Sequence, residues 1–491
     1  MKNYVALSSL ALALAVPAAA GGVFYNSNQS AEYIRSFDRN SAVDNADIVY
    51  YNMASTPYLT QGWTFNFSDQ MIFQRATVET IGNPVVGDKL YKSNNPALIV
   101  PNFYAAYRKD DWSVFAGLET LGATAIREWK GGLPTLDLLG KQLAGYGQDS
   151  TSQVIGADAY AGAYAAALHA GDTVAQAQAA ASAAALQAGL GTTYFPSSSY
   201  LKGSSYYLAL RLGAAKVLNP QWSVAVAGRI VTAQQGIVGS VDGSDTYNLN
   251  NHDLRTTQRT VIDVVQKANG FSGEICVNWR PLPQMVLNLT YEMTTPLDFK
   301  TTVHDGKSGN GLFVDGAKAH LDLPQVVWFG LGYQMSPELR LSCGANAYLE
   351  KSADFSLLNN AQFGINSSQV YRNTYEEQAA LEYKLNPRWL VSFGVNFNQI
   401  GQDQSSTIDI SIPGAHANYM SEGAGFQYTF GRDTKFNFGL AHTAFMNQYE
   451  NADAGDRQLA ASFAAQGVTI APTKRYNKEY YILAFGVDFH F

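Results

Sequence analysis

The fold is decided at the end of the chain, by Tyr481-Ile482-Leu483-Ala484-Phe485-Gly486-Val487-Asp488-Phe489-His490-Phe491. Tyr481, Leu483, Phe485, Val487, Phe489 and Phe491 share one parity, whereas Ala484, Gly486, Asp488 and His490 share the other. Successive side chains of a β-strand point to opposite faces, so this stretch has one large apolar face and one small or polar face. The same period of two recurs upstream. Val391, Phe393, Val395 and Phe397 alternate with Ser392, Gly394, Asn396 and Asn398, and Leu287, Leu289, Tyr291 and Met293 alternate with Asn288, Thr290 and Glu292.

Alternation suits a soluble β-sandwich as well as a membrane barrel. Three features favour the barrel. Tight turns at Lys109-Asp110-Asp111, Asn219-Pro220-Gln221, Arg280-Pro281-Leu282-Pro283, Ser336-Pro337-Glu338, Asn386-Pro387-Arg388 and Gly431-Arg432-Asp433 are separated by long polar segments. Short connections at one end and long ones at the other are the outer-membrane pattern. Trp112, Trp222 and Trp389 sit beside those turns, as an interfacial girdle requires. The terminal Phe491 resembles the last strand of barrels handled by the barrel assembly machinery. Fourteen alternating segments can be counted between residues 61 and 491, an even number as a closed single-chain barrel needs. The third to seventh are placed at 112–129, 205–218, 222–238, 261–280 and 284–303. The expected class is all-β, a transmembrane antiparallel β-barrel of about 14 strands. By parity Cys276 and Cys343 face opposite sides of its wall, so no disulfide joins them.

Composition agrees. Of 491 residues only 15% are charged, against about 25% in ordinary soluble proteins, while 29 Tyr, 25 Phe and 7 Trp are present. A net charge of −7 without a basic stripe argues against nucleic acid as a partner. Lys2, an apolar run over 4–16 and Ala18-Ala19-Ala20 before Gly21-Gly22 form the three-part pattern of a cleavable export signal, residues 1–20. The Ala-rich segment 156–191 is broken by Asp158, His169, Asp172, Gln176, Gln178 and Gln187, and so is not a membrane helix.

Residues 21–58 do not alternate. They include Gly21-Gly22-Val23-Phe24-Tyr25, Gln29-Ser30-Ala31-Glu32-Tyr33-Ile34-Arg35 and the tyrosine-rich run that ends in Asn52-Met53-Ala54. This segment resembles the N-terminal hatch of the FadL/TodX-type outer-membrane transporters of long-chain fatty acids and other hydrophobic compounds, in which an Asn-Pro-Ala motif closes the hatch. Met53 stands here where that family has proline. Trp112-Ser113-Val114-Phe115-Ala116-Gly117-Leu118-Glu119-Thr120-Leu121-Gly122, the loop entry Gly131-Gly132-Leu133-Pro134, the run from Tyr291 to Lys300 and Leu321-Asp322-Leu323-Pro324-Gln325 resemble further parts of the family in the same order.

The resemblance implies a fourteen-stranded barrel over 59–491 with a hatch over 21–58 in its lumen. It also implies a route of three steps: capture at the extracellular loops, transfer to a lumen pocket, and sideways release where an inward kink in the third strand opens the wall. Gly117 and Gly122 are the gate candidates, since glycines inside strands mark bulges or bends; they would equally serve close packing against the hatch. The loop 131–203 is too long for a passive connection. Thr135 before the leucines and Asp172 as an N-cap, with Gly189 past the end, predict helices there. Leu136, Leu138, Leu139 and Leu143 are the groove candidates the resemblance implies at the barrel mouth, or they pack only on neighbouring loops. Phe24 and Tyr25 would line the lumen pocket, as the family's N-terminus does. For a carboxylate, parity turns Arg211, Arg229, Arg340 and Lys384 inward, and Arg35 and Arg39 lie in the hatch. Arg211 and Arg340 are taken as ligand candidates, with pairing to Glu274, Glu292 and Glu382 as the alternative.

The seven histidines are dispersed and none is paired at metal spacing, so neither an enzyme nor a metal or other cofactor is expected. No phosphate-cradling motif is visible, so uptake is expected to be passive. The expected partners are a hydrophobic small molecule such as a long-chain fatty acid, outer-membrane lipid with lipopolysaccharide, and the assembly machinery, around a monomer. A general porin and a surface barrel for adhesion are the competing readings.

Overall fold

A computed structural model describes residues 25, 27–122, 126–143, 150–194, 197–249, 252–309, 313–358, 366–401, 417–431, 433–446, 448–451, 460–461, 463–464, 469–470 and 473–491. The segment 1–20 expected to be an export signal and Phe24 therefore lie outside the described residues. Fourteen antiparallel strands form the wall: β1 (Gly62–Ile81), β2 (Asn102–Lys109), β3 (Trp112–Gly122), β4 (Ser197–Asn219), β5 (Trp222–Leu249), β6 (His252–Trp279) and β7 (Met285–Glu292) in its first half. The second half holds β8 (Val326–Gln334), β9 (Leu339–Tyr348), β10 (Thr374–Lys384), β11 (Trp389–Gln399), β12 (Tyr419–Phe430), β13 (Thr434–Phe445) and β14 (Thr473–His490). Each pairs with the next, and β14 pairs with β1 from Thr64–His490 to Ile81–Thr473, which closes the cylinder. Among the described residues no helix is long and apolar enough to cross a membrane.

Burial follows the alternation in the sequence. Along β10, residues Thr374, Glu376, Gln378 and Ala380 are buried while Tyr375, Glu377, Ala379 and Leu381 are exposed. Apolar side chains face lipid and polar ones face the lumen, as the sequence pattern requires. Cys276 is buried and Cys343 exposed, on opposite faces of the wall. At the short-turn end half-exposed aromatics form a girdle, with Trp222 stacked on Trp279 at 5.7 Å and Trp63 on Phe65 at 5.6 Å.

Three elements differ from the sequence reading. Strands β4, β5 and β6 are longer than expected: β5 and β6 have 28 residues each and pair to their outer ends, Leu249 opposite His252. At about 3.3 Å per residue they rise far beyond the roughly 25 Å apolar band. Above the membrane the outward face meets water, and Gln234, Ser240 and Asp242 stand on it while Ile237 and Val241 stay buried, so the pattern of apolar out and polar in no longer marks the strand. The third and seventh strands are interrupted. The third resumes at Ile126–Trp129 and the seventh at Asp298–Ser308, after a break that contains Pro296, which cannot donate to a ladder. In the long loop, α3 (Pro134–Leu143) is followed by α4 (Ser150–His169) and α5 (Val174–Thr192). The expected cap Asp172 is not the one used. Thr173 and Gln176 form a reciprocal cap, its hydroxyl accepting from the Gln176 amide at 3.4 Å while Gln176 Oε1 accepts from the Thr173 amide at 3.1 Å, and the helix runs through Gly189.

The hatch contributes α1 (Ala31–Ser36), α2 (Ile48–Tyr51) and a 3₁₀ turn, Met53–Tyr58. Ser30 caps α1 by accepting from the Tyr33 amide at 3.0 Å and donates to Asp47 at 2.9 Å, so one hydroxyl ties the two hatch helices together. Glycines on the inner wall make room for this backbone. A Cβ at Gly394 would overlap the carbonyl of Ser36, and one at Gly439 would lie 2.9 Å from the amide of Arg35.

Candidate functional site

The lumen has two storeys. In the lower one the hatch is locked by buried ion pairs. Arg211 meets Glu119 at 2.7 Å and Glu274 at 2.7 Å, with Glu292 at 3.7 Å. Arg229 meets Glu292 at 2.9 Å and Glu274 at 3.4 Å. The hatch enters this network directly: Tyr25 donates its phenol to Glu292 at 2.7 Å, and Arg211 donates to the carbonyl of Tyr50 at 3.2 Å. On the opposite wall Arg340 and the hatch residue Arg35 both bind Glu382 at 2.7 Å, and Arg340 also donates to Ser41 at 2.8 Å. Arg39 stays within the hatch, paired with Asp47 at 2.7 Å. Arg211 and Arg340 thus sit with carboxylates and hatch groups, while Lys384 lies exposed at the short-turn end.

The motif Asn52-Met53-Ala54 docks on β5, β6 and β7. Asn288 donates to Asn52 Oδ1 at 3.0 Å, Ser223 donates to the Ala54 carbonyl at 2.7 Å, and Ala54 N donates to Cys276 Sγ at 3.4 Å. Met53 places its sulfur 3.8 Å from the Arg211 guanidinium.

Above the hatch the inward side chains turn apolar. On β5 the series passes from Ser223 and Arg229 to Val231, Ala233, Ile237 and Val241, with Gln235 among them; on β6 it passes from Asn278 and Glu274 to Ala268, Val264 and Ile262, with Gln266 among them. Tyr25, Trp328 and Tyr348 form the floor, with ring centroids 5.8–6.3 Å apart. The roof is α3. Leu136 and Leu139 join the apolar lining of the lumen, whereas Leu138 packs with Val85, Phe463 and Ile470 of the neighbouring loops. Leu143 ends the helix. Asp137 pins α3 to the rim, accepting from Lys89 at 2.6 Å, Ser199 at 2.6 Å and Tyr91 at 2.8 Å. Burial, with the Asp137 carboxylate adding to it, holds the Tyr91 phenol well above its usual range, so it stays a donor.

Gly117 is paired on both sides, with Tyr104 and Arg211, whereas Gly122 lies beyond the last β2–β3 pair. Pairing between β2 and β3 stops at Phe103–Leu118. On the other side the β3–β4 register slips by one residue between Thr120 and Gly122, and by another before Ile126 pairs with Ser204. Residues 119–122 are all buried, which no flat strand allows, so β3 bows into the lumen here. The seam is covered by side chains: Asn102 Oδ1 accepts from Thr120 N at 2.8 Å, and hatch Gln29 donates to the Thr120 carbonyl at 2.8 Å. A Cβ at Gly122 would approach the Tyr207 ring to 2.8 Å, and one at Gly117 would approach the Tyr104 ring to 3.1 Å.

Residues 11–491 match the family model described as outer membrane protein transport protein (OMPP1/FadL/TodX). Among solved structures, a Pseudomonas aeruginosa FadL homologue superposes with a TM-score of 0.60 at 12% identity, covering 95% of this chain and 100% of that one. The P. putida toluene transporter TodX gives 0.51 at 10% identity over 92% of this chain and 96% of that one. The Ralstonia pickettii toluene transporter TbuX gives 0.51 at 12% identity over 94% and 98%. No curated protein sequence matches the chain.

Proposed function

The chain belongs to the OMPP1/FadL/TodX family of outer membrane transport proteins, and from that premise we propose that it takes up hydrophobic compounds, long-chain fatty acids among them, through the upper lumen and out by the seam in β3. It is a barrel of the bacterial outer membrane whose role is transport, not catalysis. The observation that carries the finer reading is the change of lining. A hatch held by buried ion pairs fills the lower lumen, a largely apolar set of inward side chains lies above it, and that lining borders a stretch where β2 and β3 are unpaired.

The physical argument is solvation. A water-filled pore gives a greasy molecule no favourable surroundings, whereas burial of apolar area is worth about 25 cal/mol per Å². A dry chamber beside a wall seam lets the molecule move from apolar lining towards lipid or periplasm without crossing the ion-paired hatch. The movement is downhill along the compound's own gradient, and the protein acts as a monomer. The experiment is uptake of hexadecanoate and of toluene into proteoliposomes, together with conductance in planar bilayers. Accelerated uptake through a non-conducting barrel is expected. Large steady currents would instead make it an open porin.

The roof supports the same reading. Replacing Leu136 with Asp buries a charge in the apolar lining and is expected to raise the concentration for half-maximal uptake about tenfold, the scale of losing one buried leucine contact. Leu138→Met, which keeps an apolar side chain on the loop-facing side of α3, is expected to leave it unchanged. Equal effects at both positions would remove α3 from the capture route.

A further inference from the structure

The structure assigns to Arg75 and Lys92 a phosphate-binding site for lipopolysaccharide, on the lipid-facing side of the wall where β14 closes on β1. The site lies outside the lumen and has no part in the route proposed above for the transported compound.

Arg75 lies on β1, and Lys92 lies on the short strand Leu90–Ser93 that pairs with β1 above the end of β2. Tyr91 and Ser93 are buried while Leu90 and Lys92 are exposed, so Lys92 points away from the lumen, as does exposed Arg75 between buried Gln74 and Ala76. Lys92 stands opposite Thr77, the next outward residue after Arg75, which makes the two cations diagonal neighbours with Cβ atoms about 7 Å apart. Their height follows from β1. Phe73 is ten residues from Trp63 of the short-turn girdle, about 33 Å along the strand and about 25 Å of rise at a tilt near 40°, the height of the apolar band. Phe73 and Tyr481 face each other across the β1–β14 ladder and are both exposed, an aromatic rung at the outer edge of that band. Arg75, the next outward residue, is therefore level with the outer headgroups.

Neither cation has a counterion. Among the described residues no carboxylate or other acceptor engages the side chain of Arg75 or Lys92, whereas Arg259, Lys318 and Arg475, at the same end of the barrel, each meet a carboxylate. The acids on this face are already engaged. Glu79 accepts from Arg475, and Glu479, opposite Arg75 in the ladder, lies 3.6 Å from His442 Nε2. Two long cationic side chains a diagonal apart can converge on one phosphate or span two, and a guanidinium binds phosphate through two parallel bonds. Basic clusters at a membrane surface recognise anionic headgroups in this way.

The occupant that fits is the lipid of the outer leaflet. Lipopolysaccharide carries phosphates on a sugar base at headgroup level, with several acyl chains below it. Beneath the two cations the wall presents Phe73, Tyr481, Leu98 and Ile99 to those chains, all of them exposed. Leu98 and Ile99 belong to the crossing from the short strand to β2, which is held to β1 by the pairing of Ala97 with Ile72 and by the Val100 amide donating to Asp69 at 2.8 Å. The β1–β2 ladder itself runs only from Gly62–Arg108 to Ser68–Asn102. A lipid anchored at Arg75 and Lys92 would lie over this interrupted ladder and brace it. Phospholipid of the inner leaflet has its phosphates at the other end of the barrel.

The test is equilibrium binding of lipid A, the bisphosphorylated and acylated base of lipopolysaccharide, to the purified full-length barrel in detergent. Wild type, Arg75→Gln, Lys92→Gln and the double variant are compared, with Lys384→Gln as the control at the short-turn end. Dephosphorylated lipid A and phosphatidylglycerol are the comparison ligands, and heat-modifiable gel mobility confirms closure. The double variant is expected to lose lipid A affinity about tenfold, the scale of charge-assisted bonds. Lys384→Gln stays within about twofold by the same argument, since it makes none of those bonds. Dephosphorylated lipid A is expected to bind wild type and double variant alike. Equal lipid A binding by wild type and double variant would overturn the site. Phosphatidylglycerol binding as tight as that of lipid A would overturn lipopolysaccharide as its occupant, and a wild-type dimer lost in the double variant would give the face to a second copy of the chain instead.

Discussion

Arg211→Ala is expected to unseat the hatch. The guanidinium holds Glu119 and Glu274 at 2.7 Å each and Glu292 at 3.7 Å, and it donates to the backbone of α2. Its removal leaves three buried carboxylates facing Arg229 alone, and breaking a buried pair in this way costs about 3–5 kcal/mol. The barrel ladder is untouched, so the loss falls on the hatch. Planar bilayers should then show channel openings absent from wild type, and protease should cut within residues 27–60. Arg211→Met combined with Glu274→Gln removes one charge of each sign and is expected to recover part of the closure. Silent bilayers and an intact hatch in Arg211→Ala would mean that the network is not what holds it.

The second large effect concerns the seam. Gly122→Leu introduces a side chain whose Cβ begins 2.8 Å from the Tyr207 ring, inside the space beneath the bow of β3. Gly117→Leu places its branch against Tyr104 and the carboxylate of Glu119. Both positions keep their ladder bonds to β4, so folding measured by gel mobility should survive. Uptake is expected to fall about tenfold or more, equivalent to adding ~1.4 kcal/mol to the passage barrier. Unchanged uptake in both variants would place the exit elsewhere.

Much of the wall was legible because lipid on one side imposes a period of two. The β14 pattern from Tyr481 to Phe491 and the β11 pattern from Val391 to Phe397 both have the lipid-facing parity expected of them. The outer halves of β5 and β6 were not legible, since there the outward face meets water and the buried face is apolar, which inverts that contrast. Parity also turned Arg211 and Arg340 inward. The inward carboxylates Glu274, Glu292 and Glu382 were also legible as their partners, whereas Glu119, which meets Arg211 at 2.7 Å, was not. The Thr173–Gln176 cap was missed because Asp172 next to it is an equally good cap by type.

The ladder between β1 and β14 also sets an order of events. Gly423, Gly425, Gly439 and Gly486, on β12 to β14, face α1 at distances that leave no slack. The hatch, near the start of the chain, is therefore seated by its last strands. Without β14 zipped onto β1, the hatch lacks one side of its socket; with it, the hatch is enclosed by a continuous hydrogen-bonded wall. Hatch docking and barrel closure are therefore expected to be coupled, and a chain truncated before β14 is expected to fail at both together.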